Sequence, residues 1–199
     1  MSTSDSGRKI NEQYENPIDN MIYKFIVVPL SPHLHNLGFT PNMLTFMSAM
    51  TQFYSIYCLQ NNEFHLFSIF YILGYIFDCF DGYIARKYDQ VTNFGDLFDH
   101  VTDIGAVSLL AYVAFQKWGI HCNYIIYLFY LCSFLLLGMH MGCQQKMYKK
   151  KDSSKMEETL DSLSIMCPFN DTLISKYFGS GTMYLLLAII PSLLKKCDV

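Results

Sequence analysis

Apolar and polar positions along this chain fall into long blocks rather than alternating turn by turn. Between Lys24 and Glu63 there is no Lys, Arg, Asp or Glu, and three further charge-free runs cover residues 104–116, 118–145 and 177–194. Runs near 20 residues match a bilayer core of about 30 Å at about 1.5 Å of rise per helical residue. The blocks predict spans over about residues 41–60, 64–86, 93–116, 122–143 and 177–194, the last interrupted by Gly179, Gly181 and Pro191. Ahead of them, Asn16-Pro17 reads as a helix start. Ile18, Met21, Ile22, Phe25 and Ile26 follow at helical spacing, with Asp19, Asn20, Tyr23 and Lys24 on the other side. That pattern predicts a short amphipathic helix lying in the membrane interface. Pro29, Pro32 and Gly38 then break the chain, and Thr40-Pro41-Asn42 opens the first span. Residues 1–15 read as a polar, disordered tail without the apolar core of a signal peptide, so insertion is expected through the spans themselves. The remainder, residues 16–199, reads as one membrane-embedded domain. The expected fold is an all-α polytopic bundle of five or six transmembrane helices.

Composition agrees with the pattern. The 199 residues are 52% hydrophobic and 16% charged, against roughly 25% charged in soluble domains. A net charge of −3 argues against a nucleic-acid binder. Seven cysteines, an odd number with no Cys-x-x-Cys pair, argue against a disulfide framework and suit buried thiols in a reduced compartment. Arg8, Lys9, Lys24, Arg86, Lys87, Lys146, Lys149, Lys150, Lys151 and Lys155 fall on one side of the predicted spans, with Lys117 opposite. The positive-inside rule places that basic side, and the mouth at Arg86, in the cytosol. Lys195 and Lys196 depart from this count, which leaves room for an additional membrane-associated element within 156–176.

The chemistry concentrates between residues 78 and 103. Asp78 and Asp81 are three apart and Asp99 and Asp103 four apart, so each pair shares a helix face. Asp78 lies eight residues before Arg86 and Asp103 eight after Gly95, which places both about 12 Å in from one short loop. An ionised Asp within a span costs about 2.5–3.5 kcal/mol, and four together repel one another. Divalent cations are the natural compensation, because carboxylate oxygens are hard ligands suited to Mg²⁺, Mn²⁺ or Ca²⁺. Gly82 and Ala85 keep one face of the helix shallow beside Arg86, an arrangement that suits a phosphate-bearing ligand. Asn93 with Asp96 resembles a capping pair for the third span, so Asp96 reads as a cap first and a ligand second.

Asp78-x-x-Asp81-Gly82-x-x-Ala85-Arg86, eight residues, then Gly95-x-x-x-Asp99-x-x-x-Asp103 is similar, position for position, to the signature of the CDP-alcohol phosphotransferases. The amphipathic helix followed by Thr40-Pro41-Asn42-Met-Leu-Thr45 resembles that family's entry to its first span. The resemblance implies a site for two Mg²⁺ or Mn²⁺ ions made by Asp78, Asp81, Asp99 and Asp103. It implies CDP binding near Gly82 and Arg86, with Thr92, Asn42 and Thr45 close to the same ligand. Asp103 would then be the general base toward the acceptor hydroxyl. Family members typically have six spans and form homodimers, whereas five spans are evident here.

The function so implied is phospholipid synthesis: transfer of a substituted phosphate from a CDP-alcohol to a hydroxyl acceptor in the membrane, with release of CMP. Intramembrane acids also mark ion pathways, so a divalent-cation transporter is the rival of another class; Arg86 beside the acids argues against it. Asp78-x-Phe-Asp81-Gly82 with Gln90-x-Thr92-x-Phe94-Gly95 resembles phosphatidylinositol synthases, which use CDP-diacylglycerol. Gly95-Asp96-Leu-Phe98-Asp99-His100 resembles choline and ethanolamine phosphotransferases, for which diacylglycerol is the acceptor. The acceptor, and the role of His100, stay open at this level.

Overall fold

The computed structural model of the chain describes residues 6–9, 12, 15–118, 131, 135–140, 142, 143, 146, 165, 167 and 175–194. Among these the regular elements are helices, with no strand. Helix α1 is Pro17–Ile22, followed without a break by a π-helical stretch, Tyr23–Val27, and by α2, Val28–Asn36. Helices α3 (Pro41–Gln60), α4 (Phe64–Lys87) and α5 (Asn93–Trp118) come next. After a 3₁₀ turn at Ser175–Phe178, helix α6 covers Ser180–Leu194. The elements α3, α4 and α5 fall where the hydropathy pattern places the first three spans. Most of the predicted fourth span and of residues 144–176 lies outside the described residues.

Asn16 starts the first helix as expected: its Oδ1 accepts from the Ile18 N–H at 2.9 Å, and Pro17 needs no partner there. Pro29 and Pro32 do not break the chain, contrary to the sequence reading. The wider i→i+5 turn lies immediately before Pro29 and relaxes the backbone where the missing N–H would interrupt the ladder. The Val28 carbonyl, which Pro32 cannot serve, accepts instead from Ser31 Oγ at 3.3 Å. The stop comes at Gly38, whose φ of 85° is open to glycine without a steric penalty.

Part of the expected polar face of the first helix points inward. Asp19 and Tyr23 are buried while Met21 and Phe25 are exposed. Asp19 accepts from Tyr75 Oη on α4, and from Ser180 Oγ on α6 at 3.0 Å. Burial raises its carboxyl above the usual range. Asn16 Nδ2 donates to the Lys176 carbonyl at 2.6 Å and to Thr182 Oγ1 at 2.8 Å. Gly179 stands at the break between the 3₁₀ turn and α6, as expected, whereas Gly181 lies inside the helix without interrupting it, and both glycines have a packing role. They admit α1, since a Cβ at either would sit 2.8 Å from Asn16 Cβ or 3.0 Å from Ile18 Cβ. The N-terminal tail also has partners at its described residues. Arg8 donates to Glu15 at 2.9 Å and to Asn20 at 2.6 Å, and burial holds the Glu15 carboxyl up at about 7 against the opposing pull of Arg8.

Two apolar clusters hold the bundle. One joins Ile56, Leu59, Phe67 and Tyr71 to Leu110 and Val113 of α5. The other gathers Tyr23, Val27 and Leu44 around Tyr75, Phe80 and Tyr83. Outward, Phe46, Phe53, Ile69, Ile104, Tyr112 and Phe115 are exposed, a surface suited to lipid rather than to water. Helices α4 and α5, of 24 and 26 residues, are long and apolar enough to cross a membrane. The 15 residues of α6 reach about 22 Å, short of a bilayer core. The expectation of free thiols needs correction at one pair: Cys143 and Cys167, 4.8 Å apart at Cα, form a disulfide, a separation within bridging range. Cys58 and Cys79 are free and buried, as expected.

Helices α3 and α4 form a tight hairpin through Asn61-Asn62-Glu63, with Asn62 at φ 66°. They pack closely at Gly74, where an added Cβ would meet Gln52 Cγ at 2.6 Å and the Ser48 carbonyl at 3.2 Å. In an open helix, Gly→Ala gains up to about 1 kcal/mol, but overpacking costs about 1–3 kcal/mol. Gly74→Ala is therefore expected to lower the thermal unfolding midpoint in detergent. An unchanged or raised midpoint would contradict this packing.

Candidate active site

Acids from α4 and α5 converge. One carboxylate oxygen from each of Asp78, Asp99 and Asp103 lies within 4.8 Å of the other two, and all three residues are half-buried. The fourth acid, Asp81, stands beside this group rather than in it. It is 6% exposed and accepts a hydrogen bond from Thr45 Oγ1 of α3 at 2.8 Å. The donor set is all hard oxygen, and oxygens across an octahedral Mg²⁺ are about 4.2 Å apart. Carboxylate rotations cover the difference, so the residues present fit a divalent cation.

The mouth of the site lies at the start of α3 and α5 and the end of α4. The cap of α5 is Thr92, not Asn93 as the sequence suggests: Thr92 Oγ1 accepts from the Gly95 N–H at 3.0 Å. A Cβ on Gly95 would lie 2.9 Å from Asn42 Oδ1 and 3.0 Å from Thr92 Oγ1. That glycine thus brings Asn42, Thr92 and two helix N-termini to one place, where partial positive charge favours an anion. Across from them, the Arg86 guanidinium lies over Gly82, its Nη1 3.1 Å from where a Cβ would be. Arg86 Nε donates to the Gly7 carbonyl at 2.9 Å, which fixes the plane of the fork. Asp96 is not the cap. It sits one turn before His100, whose Nδ1 is 2.7 Å from the Asp96 carbonyl oxygen and 3.8 Å from its carboxylate. That gives His100 a local partner on its own helix.

Two participants escaped the sequence reading. Gly7 belongs to a tail expected to be disordered, and a polar tail carries no pattern that forecasts its docking. The other is Gln52 of α3, 1% exposed, whose amide Nε2 donates to Ser48 Oγ at 3.0 Å. The periodicity of Thr45, Ser48, Gln52 and Ser55, at steps of three and four within an apolar run, marks this buried polar face.

These features define a helical bundle with membrane-length helices built around an acidic centre and a cationic mouth. The chain belongs to the CDP-alcohol phosphatidyltransferase family, whose profile matches residues 39–193. It is 38% identical over 72 residues to a CDP-diacylglycerol–inositol 3-phosphatidyltransferase of Candida albicans, covering 36% of this chain and 31% of that protein. The protein of the same description from Schizosaccharomyces pombe is 36% identical over 85 residues, covering 41% of this chain and 35% of the relative. A CDP-diacylglycerol–glycerol-3-phosphate 3-phosphatidyltransferase of Rickettsia typhi is 46% identical over 46 residues, 22% of this chain and 26% of that one. The chain thus matches about a third of the length of these relatives. No solved structure matches it.

Arg86 is the cation over the Gly82 face, so Arg86→Ala is expected to raise the KM for a CDP-alcohol about tenfold or more, as loss of a charge-assisted contact does. The KM for the acceptor should change much less. An unchanged donor KM in steady-state assays would move the nucleotide away from this mouth.

Proposed function

We propose that the protein is a phospholipid-synthesising transferase that moves the phosphatidyl group of CDP-diacylglycerol to an alcohol, inositol first among the acceptors, and releases CMP. The observation that carries this reading is the convergence of Asp78, Asp99 and Asp103 from two helices, beside a mouth built from Arg86, Gly82 and two helix N-termini. The inositol transferases named above support the choice of acceptor, and the glycerol-phosphate enzyme supports the chemistry common to both. Five or six spans, a cytosolic mouth and a homodimer belong to the same proposal, supported by the charge pattern and the family.

The diphosphate of the donor rests against the Arg86 fork and the N-termini of α3 and α5, with Asn42 and Thr92 at its edge. Gly82 leaves room for it, because any side chain there would displace the guanidinium. Asp78, Asp99 and Asp103, with Asp81 alongside, would hold Mg²⁺ or Mn²⁺ on the expected two-ion pattern. When bound, the metal neutralises the acids and offsets charge on the departing nucleotide. Asp103 accepts the proton of the acceptor hydroxyl. The hydroxyl oxygen bonds to the phosphorus that carries diacylglycerol, and the bond from that phosphorus to CMP breaks with its electron pair leaving on CMP. Thr45 holds the Asp81 carboxylate in place by its hydrogen bond.

The test uses the full chain in lipid vesicles with CDP-diacylglycerol, Mg²⁺ and either labelled inositol or labelled glycerol 3-phosphate. Label is expected in lipid from inositol, with CMP released in equal amount and both lost in excess EDTA. Asp103→Asn should cut kcat by about 10²–10⁴-fold while donor binding persists. Incorporation from glycerol phosphate alone would overturn the acceptor, and turnover by metal-free protein would overturn the metal-dependent chemistry.

A further inference from the structure

The guanidinium at the mouth is held by a segment 79 residues away in the chain. Arg86 Nε donates to the Gly7 carbonyl at 2.9 Å, which uses one of the five guanidinium donors and leaves the four on Nη1 and Nη2. Those two nitrogens are the atoms that lie over the Gly82 face, 3.1 and 3.2 Å from where a Cβ would be. The partner at Nε is a neutral carbonyl, and among the described residues no carboxylate forms an ion pair with Arg86. The fork is thus fixed at its base while its two ends keep their donors and no acid is paired with them. In that state a guanidinium can grip a phosphate through two parallel hydrogen bonds.

Two features bring Gly7 to this point. A Cβ on Gly7 would lie 2.5 Å from Tyr83 Cε2 and 2.7 Å from Cδ2, so the tail backbone lies directly against the ring. The ring has no room to yield, since Tyr83 is fully buried and its Oη accepts from Lys87 Nζ at 3.2 Å. One residue on, Arg8 clamps the tail to the first helix. Its Nη1 donates to Glu15 at 2.9 Å and to Asn20 Oδ1 at 2.6 Å, and its guanidinium lies over the Tyr23 ring, 5.3 Å from the centroid. Only 6% of the Arg8 side chain is exposed. Asn20 Nδ2 in turn donates to the Glu12 carbonyl at 2.6 Å. Two arginines therefore stand in different states: Arg8 is paired with an acid and committed to docking, whereas Arg86 has no paired acid and lies over the Gly82 face.

We propose that residues 6–9 form a strap that positions Arg86 for the diphosphate of the nucleotide donor, with Gly7 as the positioning residue and Arg8 as its clamp. A fork ordered before the ligand arrives has less freedom to lose on binding, so the strap acts on nucleotide affinity and little on the chemical step. Its effect on turnover rests on the transferase reading above; its docking and its effect on nucleotide binding do not.

The test uses the full chain with Gly7→Val, which drives the tail backbone off the Tyr83 ring and the carbonyl away from Arg86. Arg8→Gln is the second variant, because it releases the same strap without adding bulk at Tyr83. In detergent, trypsin cleaves after Arg8 and Lys9 only when the segment leaves its dock. Intact mass should show the wild-type tail resisting cleavage, with Gly7→Val cut there at least about tenfold faster and Arg8→Gln cut faster after Lys9. Titration with CDP in saturating Mg²⁺ should show affinity about three- to tenfold weaker in both variants, the loss of one hydrogen bond's worth of order at the fork. In vesicles the KM for CDP-diacylglycerol should rise by the same factor, with kcat within about twofold of wild type. In the Arg86→Ala background Gly7→Val should add little, because the strap then has no side chain to hold. A merely structural tail would instead lower the unfolding temperature and kcat together, with effects additive to Arg86→Ala, and that result overturns the proposal. Wild-type protein cut at Arg8 and Lys9 as fast as Gly7→Val overturns the docking. A released strap with unchanged CDP affinity overturns the positioning role and leaves the transferase standing. Weakened CDP binding in both variants, from a protein that transfers to no acceptor, overturns the transferase and leaves the strap standing.

Discussion

Four aspartates held in an apolar bundle are the constraint that the rest of this structure answers to. Each ionised carboxylate in a span costs about 2.5–3.5 kcal/mol, and Asp78, Asp99 and Asp103 stand close enough to repel one another. The fold supplies a donor to one of them, for Thr45 Oγ1 reaches the Asp81 carboxylate. Protein cations are few at this depth, and Arg86 serves the mouth. A divalent ion would relieve the imbalance, so the charges that burden the fold form a candidate binding site.

Close approach between helices makes that arrangement possible. Gly74 lets the α3 stripe lie against α4, Gly95 brings Asn42 to the start of α5, and Gly82 leaves space beneath Arg86. In each case a β-carbon would crowd a polar group at the candidate site. The first helix is tied in by the same means, with Asp19 held between Tyr75 and Ser180. Its apolar residues Met21 and Phe25 are left facing outward. A helix fixed by its polar face and greased on the other suits the boundary between headgroups and acyl chains.

Much of this was legible in the residues. The bounds of α3, α4 and α5 follow from long apolar blocks separated by short polar loops and, for α3, from the Thr40 cap, because length and apolarity decide a helix of bilayer size. The acids could be grouped from spacing alone, since two antiparallel helices with acids equally far from one loop must bring them level. What escaped was tertiary. Pro29 and Pro32 read as breakers, yet a π turn and the Ser31 hydroxyl carry the helix past them. Asn93 looked like the cap, but Thr92 is one residue nearer the loop and its hydroxyl points back. The inward turn of Asp19 and the docking of Gly7 depend on partners more than fifty residues away, which no local pattern announces.

The central claim is that the carboxylate cluster is a divalent-cation site that the bundle exists to hold. Anomalous scattering at the manganese edge, from crystals of the full chain grown with Mn²⁺ and a CDP-alcohol, tests it directly. The account predicts two manganese peaks between α4 and α5, within about 2–2.5 Å of carboxylate oxygens of Asp78, Asp81, Asp99 and Asp103. Fully occupied donor with no manganese at these four residues would contradict it.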